Sequence, residues 1–137
     1  MHSLLEKTGH YSELDKTIED FVNQNKISDR DAVVIKEMLT QALSDPTARE
    51  WFSDQWSTIK SEVNIINPRS KILQRPDRVM IRDNRAIVID YKFGSQLLLK
   101  KYSQKISDYM ESLREMGYTD VRGYLWFVAL GKIFEVM

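Results

Sequence analysis

Two Ile/Val-rich stretches, Ile72–Ile81 and Ala86–Lys92, flank the polar pair Asp83-Asn84. Such stretches form strands, and Asn in a two-residue connection tolerates the left-handed backbone that a tight hairpin needs. A turn centred on Asp83-Asn84 sets a register in which Arg82 faces Arg85, Ile81 faces Ala86 and Val79 faces Val88. The same register sets Asp77 opposite Asp90. Carboxylates so placed sit about 5 Å apart at Cβ, and like charges there are destabilising. A shared proton or a cation relieves the conflict. Lys92 lies two residues beyond Asp90 and projects from the same face. Two carboxylates and an amine on one face are equipment for holding a divalent metal and an attacking water. A three-residue loop or a bulge would shift the ladder by one and separate them.

The chain has 137 residues, 42% hydrophobic and 29% charged, which suits one domain with its own core. No apolar run of about 18 residues occurs, so neither a transmembrane helix nor a membrane partner is expected. The mixed N-terminus, Met1 to His10, does not read as a signal peptide. Cysteine is absent, which removes disulfides, iron–sulfur clusters and thiol catalysis and is compatible with a cytoplasmic protein. The net charge is zero, but it is unevenly spread. Residues 1–57 carry 6 Lys/Arg and 11 Asp/Glu, a net of −5, and residues 58–137 carry 14 and 9, a net of +5. The carboxylate–lysine constellation lies in the basic half, where a polyanion would be attracted. Solvated faces of acidic helices account for the asymmetry equally well.

The first half reads helical. Ser12-x-x-Asp15 resembles a capping box ahead of Ile18, Phe21 and Val22, and Ser28-x-x-Asp31 opens a second helix with Val34, Met38 and Leu39 on one stripe. Asp45-Pro46 closes that helix or starts a short one carrying Trp51, Phe52 and Trp56. The second half opens with a strand over Ser61–Ile66, then the hairpin. Ser95 caps a long helix over Gln96–Met116, with Leu98, Tyr102, Ile106, Tyr109 and Leu113 on one face and Gly117 as its stop. Val121–Leu130 reads as a buried strand, followed by a turn at Gly131-Lys132 and a last strand over Ile133–Val136. The order is helices, three strands, a helix, then two strands. An α/β (α+β) fold follows: a central mixed sheet with an antiparallel hairpin, flanked by helices, and an N-terminal helical part. The whole is expected to be one domain, with residues 1–57 helical and 58–137 carrying the sheet and the candidate site.

The residues Pro76-Asp77, the D-x-K at Asp90 to Lys92 and the preceding Glu62 resemble the PD-(D/E)xK nuclease superfamily, whose core has the order just given. More narrowly, Arg75-Pro-Asp-Arg-Val79, Val88-Ile-Asp-Tyr-Lys-Phe-Gly94, a Tyr-bearing helix and Gly123-Tyr-Leu-Trp126 resemble the C-terminal nuclease domain of RecB/AddA-type helicase–nucleases. The likeness covers most of the chain, most strongly from about Trp51 onward. It implies a restriction-endonuclease-like core, Mg²⁺ or Mn²⁺ as cofactor, Asp77 and Asp90 as metal ligands and Lys92 as the catalytic lysine. It also implies His2 as a further ligand and Glu62 as a contributing carboxylate. The glycine usual before that histidine is missing. The family's Q-x-x-x-Y on the helix after the lysine strand meets Tyr109 here, but Lys105 stands four residues earlier and Gln104 is one step off. Lys105, Gln104, Tyr109 and Lys101 are therefore the expected DNA contacts.

The expected activity is that of a metal-dependent DNA exonuclease in double-strand-break processing and recombinational repair. Its implied partners are DNA ends, a motor domain of the same polypeptide and a second subunit. A chain that starts so close to His2 looks like an excised domain of a longer protein. The alternative is a catalytically degenerate nuclease fold that binds DNA or a subunit. A restriction-type endonuclease is a further rival, which the two matching strings count against. A lone D-x-K marks only a strand leaving the core; the P-D at its partner position makes the signal specific. Lys100, Lys101 and Lys105 also fit a plain solvated helix face, and Tyr109, Trp126 and Phe127 also fit the core. No GxxxxGK[ST] occurs, since Leu130-Gly-Lys132 lacks the spacing, so no motor is encoded in these residues.

Overall fold

Pro76 interrupts what reads in sequence as one strand. The computed structural model describes residues 2–61, 65–66, 73–93 and 99–136. In it the expected strand over Ile72–Ile81 is two: β3 (Leu73–Gln74), paired with β2 (Ile65–Ile66) in a small separate sheet, and β4 (Arg78–Arg82). Proline has no N–H to give a ladder, so the chain leaves one sheet and joins the other across Arg75-Pro76-Asp77.

β4 pairs antiparallel with β5 (Arg85–Lys92), in the register expected: Arg82 opposite Arg85, Ile81 opposite Ala86, Val79 opposite Val88. Asp83 carries the positive φ of the turn, 55°, so aspartate rather than Asn84 takes the left-handed position. The Asn84 carbonyl accepts from the Thr119 and Asp120 N–H groups, both at 3.2 Å. β1 (Thr58–Ser61) pairs antiparallel with β4, so the first strand of this sheet starts three residues earlier than expected.

β6 (Asp120–Phe127) lies parallel to β5, which requires a crossover, and α5 (Leu99–Glu115) supplies it. The expected cap of this helix, Ser95, lies outside the described residues. α5 ends in a Schellman motif. Gly117, at φ 110°, donates to the Arg114 carbonyl (3.0 Å), and Tyr118 donates to that of Leu113 (3.3 Å). β6 is shorter than the apolar run suggests: a 3₁₀ turn at Val128–Leu130 and Gly131 (φ 62°) lead into β7 (Lys132–Val136). The result is a mixed five-stranded sheet in the order β1-β4-β5-β6-β7.

Side-chain parity assigns its faces. Val79, Ala86, Val88, Val121, Leu125, Phe127 and Val136 pack under Ile106, Tyr109, Met110 and Leu113 of α5. Met80, Ile87, Ile89, Tyr91 and Trp126 occupy the other face and are also buried. A sheet buried on both faces reads as continuous apolar strands, as β5 does. Gly123 lets α5 come close: a Cβ there would lie 2.6 Å from Met110 Sδ and closer still to Ile106 Cγ2.

Residues 1–54 and 55–137 form two compact units. The first contains α1 (His2–Lys7), α2 (Leu14–Asn23), α3 (Asp29–Ala42) and α4 (Pro46–Trp51). Ser12 does not cap α2. It sits in a 3₁₀ turn, Tyr11–Glu13, where its own N–H donates to His10 Nδ1 at 3.1 Å. Ser28 does cap α3, accepting from the Asp31 N–H at 3.1 Å, and Asp45 caps α4. The buried stripe of α3 runs from half-buried Ile35 through Leu39 and Ala42. Val34, expected on it, is 62% exposed because it lies about 100° round the helix from Ile35. Trp56 lies beyond α4 rather than on it. No described helix is long and apolar enough to cross a membrane.

Candidate active site

The break at Pro76 leaves Asp77 one residue before β4, at the position that continues the ladder to Asp90 of β5. The two side chains latch the strands reciprocally. The Asp77 N–H donates to Asp90 Oδ1 at 3.1 Å, and the Tyr91 N–H donates to Asp77 Oδ2 at 2.8 Å. Each carboxylate thus accepts from the opposite strand's backbone, where a regular ladder would have used carbonyls. Asp90 is 3% exposed and Asp77 half-buried. Two buried or part-buried carboxylates are tolerable side by side only with such donors or a cation.

Asp90 and Lys92 share the α5 face of β5, as does the position of Asp77 in β4. Lys92 Nζ stands 4.1 Å from the centroid of the Tyr102 ring on α5. That ring lies at 53° to Phe127, centroids 6.4 Å apart. Tyr109, about two turns along the same helix, is 2% exposed. Its hydroxyl pKa is driven well above the usual range by burial first, then by the negative charges of Asp90, Asp77 and Asp108.

A second link ties the approach to Asp77 onto the same helix. Buried Ser112 donates from Oγ to Gln74 Oε1 at 2.5 Å, from α5 to the residue three before Asp77. Neither residue stood out in sequence, although Ser112 is a polar side chain beside the apolar stripe of a long helix.

The expected DNA contacts divide. Lys101, Gln104 and Lys105 are exposed on α5. Gln104 Nε2 donates to Asp108 Oδ1 at 3.1 Å within the helix, and Lys105 Nζ is 6.0 Å from the Tyr109 ring centroid. Tyr109 is a core side chain rather than a surface contact, as are Trp126 and Phe127, at 1% exposure each. His2 lies on α1, with its side chain outside what the structure describes, and Glu62 lies outside the described residues altogether.

Among the described residues no group of three or more His, Cys, Asp or Glu gathers as a metal cluster. Mg²⁺ needs no such cluster: it retains several waters and takes one or two protein carboxylates with substrate phosphates. The hard oxygens of Asp77 and Asp90 fit that demand. No family model matches the chain, and no curated protein matches it significantly.

Proposed function

We propose that this chain is a metal-dependent DNA nuclease domain of the PD-(D/E)xK type, with a restriction-endonuclease-like core. The observation that supports it best is the reciprocal Asp77–Asp90 latch, on the same sheet face as Lys92, at a break made by Pro76. Two carboxylates are brought side by side there, each accepting from the backbone of the opposite strand.

Asp77 and Asp90 would hold Mg²⁺ or Mn²⁺. The cation, when bound, supplies Lewis-acid polarisation of the scissile phosphate. The protein's own part is orientation and charge. The latch keeps both carboxylates from turning away, and Lys92, on the same face, stabilises negative charge developing on the phosphate oxygens. Exposed Lys101 and Lys105 track the backbone of the bound strand. The RecB/AddA likeness implies DNA ends as the substrate. It implies a helicase motor and a second subunit as partners, in double-strand-break processing and recombinational repair.

Linear and closed-circular DNA, single- and double-stranded, are incubated with the chain in Mg²⁺, Mn²⁺ or EDTA, alongside Asp90→Ala and Lys92→Ala. Linear DNA is expected to be degraded with metal, and neither circular DNA nor either variant to give cleavage. Cleavage that survives both substitutions refutes the assignment. DNA binding without cleavage under every metal supports the rival reading of a degenerate nuclease fold that only binds.

A further inference from the structure

We infer that Ser112 is a positioning residue: through its hydrogen bond to Gln74 it sets where Asp77 stands relative to Asp90. The inference rests on that pair being the metal site.

The chain reaches Asp77 by a crossing between two sheets. β3 ends at Gln74 in the small sheet and β4 begins at Arg78 in the large one, so Arg75, Pro76 and Asp77 belong to neither strand. The crossing is short and stiff. Three residues span at most about 10 Å. Proline fixes its own φ and confines Arg75 to extended backbone. A shift of Gln74 therefore passes on to Asp77 instead of being absorbed on the way. The far end of the crossing is held by the latch to β5. The near end is held by α5, where buried Ser112 donates from Oγ to Gln74 Oε1 at 2.5 Å. The helix itself does not require that bond. The Asp108 carbonyl, one turn back, lies 3.1 Å from the same Oγ and would take its proton if Gln74 were gone. Alanine at this position would suit the helix better. α5 is also a fixed reference. Ile106, Tyr109, Met110 and Leu113 pack it onto the sheet face that carries Val88, two residues before Asp90. Ser112 thus references Asp77 to the same helix that lies over the Asp90 strand.

The first readout is amide hydrogen exchange of the whole chain without metal, under conditions where the rate follows the opening equilibrium. The Asp77 and Tyr91 N–H groups close the latch. In Ser112→Ala and in Gln74→Met both are expected to exchange about fivefold faster, a hydrogen bond of about 1 kcal/mol converted at 1.4 kcal/mol per tenfold. Ile87 and Val88, in the middle of β5, are expected to keep the wild-type rate. The double variant is expected to be no faster than either single one, because both remove the same bond. The second readout is single-turnover cleavage of linear DNA across a Mg²⁺ titration. The half-saturating Mg²⁺ concentration is expected to rise by up to about fivefold, with the saturated rate within about twofold of wild type, because bound metal selects the positioned pair. Unchanged exchange at Asp77 and Tyr91 overturns the inference. So do equal gains at Ile87 and Val88, which general loosening of the fold would give, and effects that add in the double variant. So does a fall in the saturated rate with the half-saturating concentration unmoved. A wild type with no metal-dependent cleavage is a different result: it removes the metal site itself, and leaves Ser112 a tether of the fold alone.

Discussion

Replacing Asp90 by asparagine separates a carboxylate kept for a metal from one kept for the fold. The amide preserves shape and offers an oxygen to the Asp77 N–H, which now donates to Asp90 Oδ1 at 3.1 Å. Two effects oppose each other without metal. Two unit charges about 5 Å apart repel by about 3 kcal/mol at an effective dielectric of 20, and solvent at half-buried Asp77 lowers that to roughly 1.5. Against it, a neutral acceptor is worth about 1 kcal/mol less than a charged one. The sum is near zero, with a slight gain. In EDTA the urea midpoint of Asp90→Asn is therefore expected to equal or exceed that of wild type, although the side chain is only 3% exposed. Saturating Mg²⁺ then reverses the order. Wild type gains about 2.7 kcal/mol at a hundredfold excess over the dissociation constant, and the variant gains nothing. A loss of more than about 1.5 kcal/mol in EDTA, with the Mg²⁺ gain intact, would refute the reasoning and make Asp90 a purely structural group.

Three further outcomes follow from the same geometry. Gly123→Ala drives a methyl into Ile106 Cγ2 and Met110 Sδ, so urea denaturation should show a loss of about 1–3 kcal/mol with unchanged denaturant slope. Tyr109 keeps its proton in the folded, metal-free chain above pH 10 while the unfolded chain gives it up; stability fully present below about pH 10 is then lost as pH rises further, and Tyr109→Phe should flatten that loss in a pH series of unfolding curves. Lys101→Ala with Lys105→Ala should lower the slope of log affinity for DNA against log salt by about 1.4–1.8, measured by fluorescence anisotropy, and leave Mn²⁺ binding unchanged.

The hairpin and its carboxylate pair were legible because a two-residue turn and a period of two leave one register, and Asp77 and Asp90 follow from it. The strand break was not, because Ile72, Leu73 and Val79 share the apolar character of one strand; only Pro76 argued against continuity. Ser12 misled because its spacing to Asp15 fits a capping box, while His10 offers a competing acceptor to its N–H. Lys92 was assigned to the right face, but its seat on Tyr102 depends on how close α5 approaches β5, and that is set by Gly123, a residue remote in sequence. The Ser112–Gln74 bond spans 38 residues and leaves no periodic trace.

Single-turnover cleavage of end-labelled linear DNA across a Mg²⁺ titration, for wild type and Asp77→Ala, tests the central claim most directly. Wild type is expected to cleave with a rate that rises and saturates with Mg²⁺, and Asp77→Ala to show no metal-dependent cleavage at any concentration. Equal rates in the two chains, or cleavage that persists in EDTA, would contradict it.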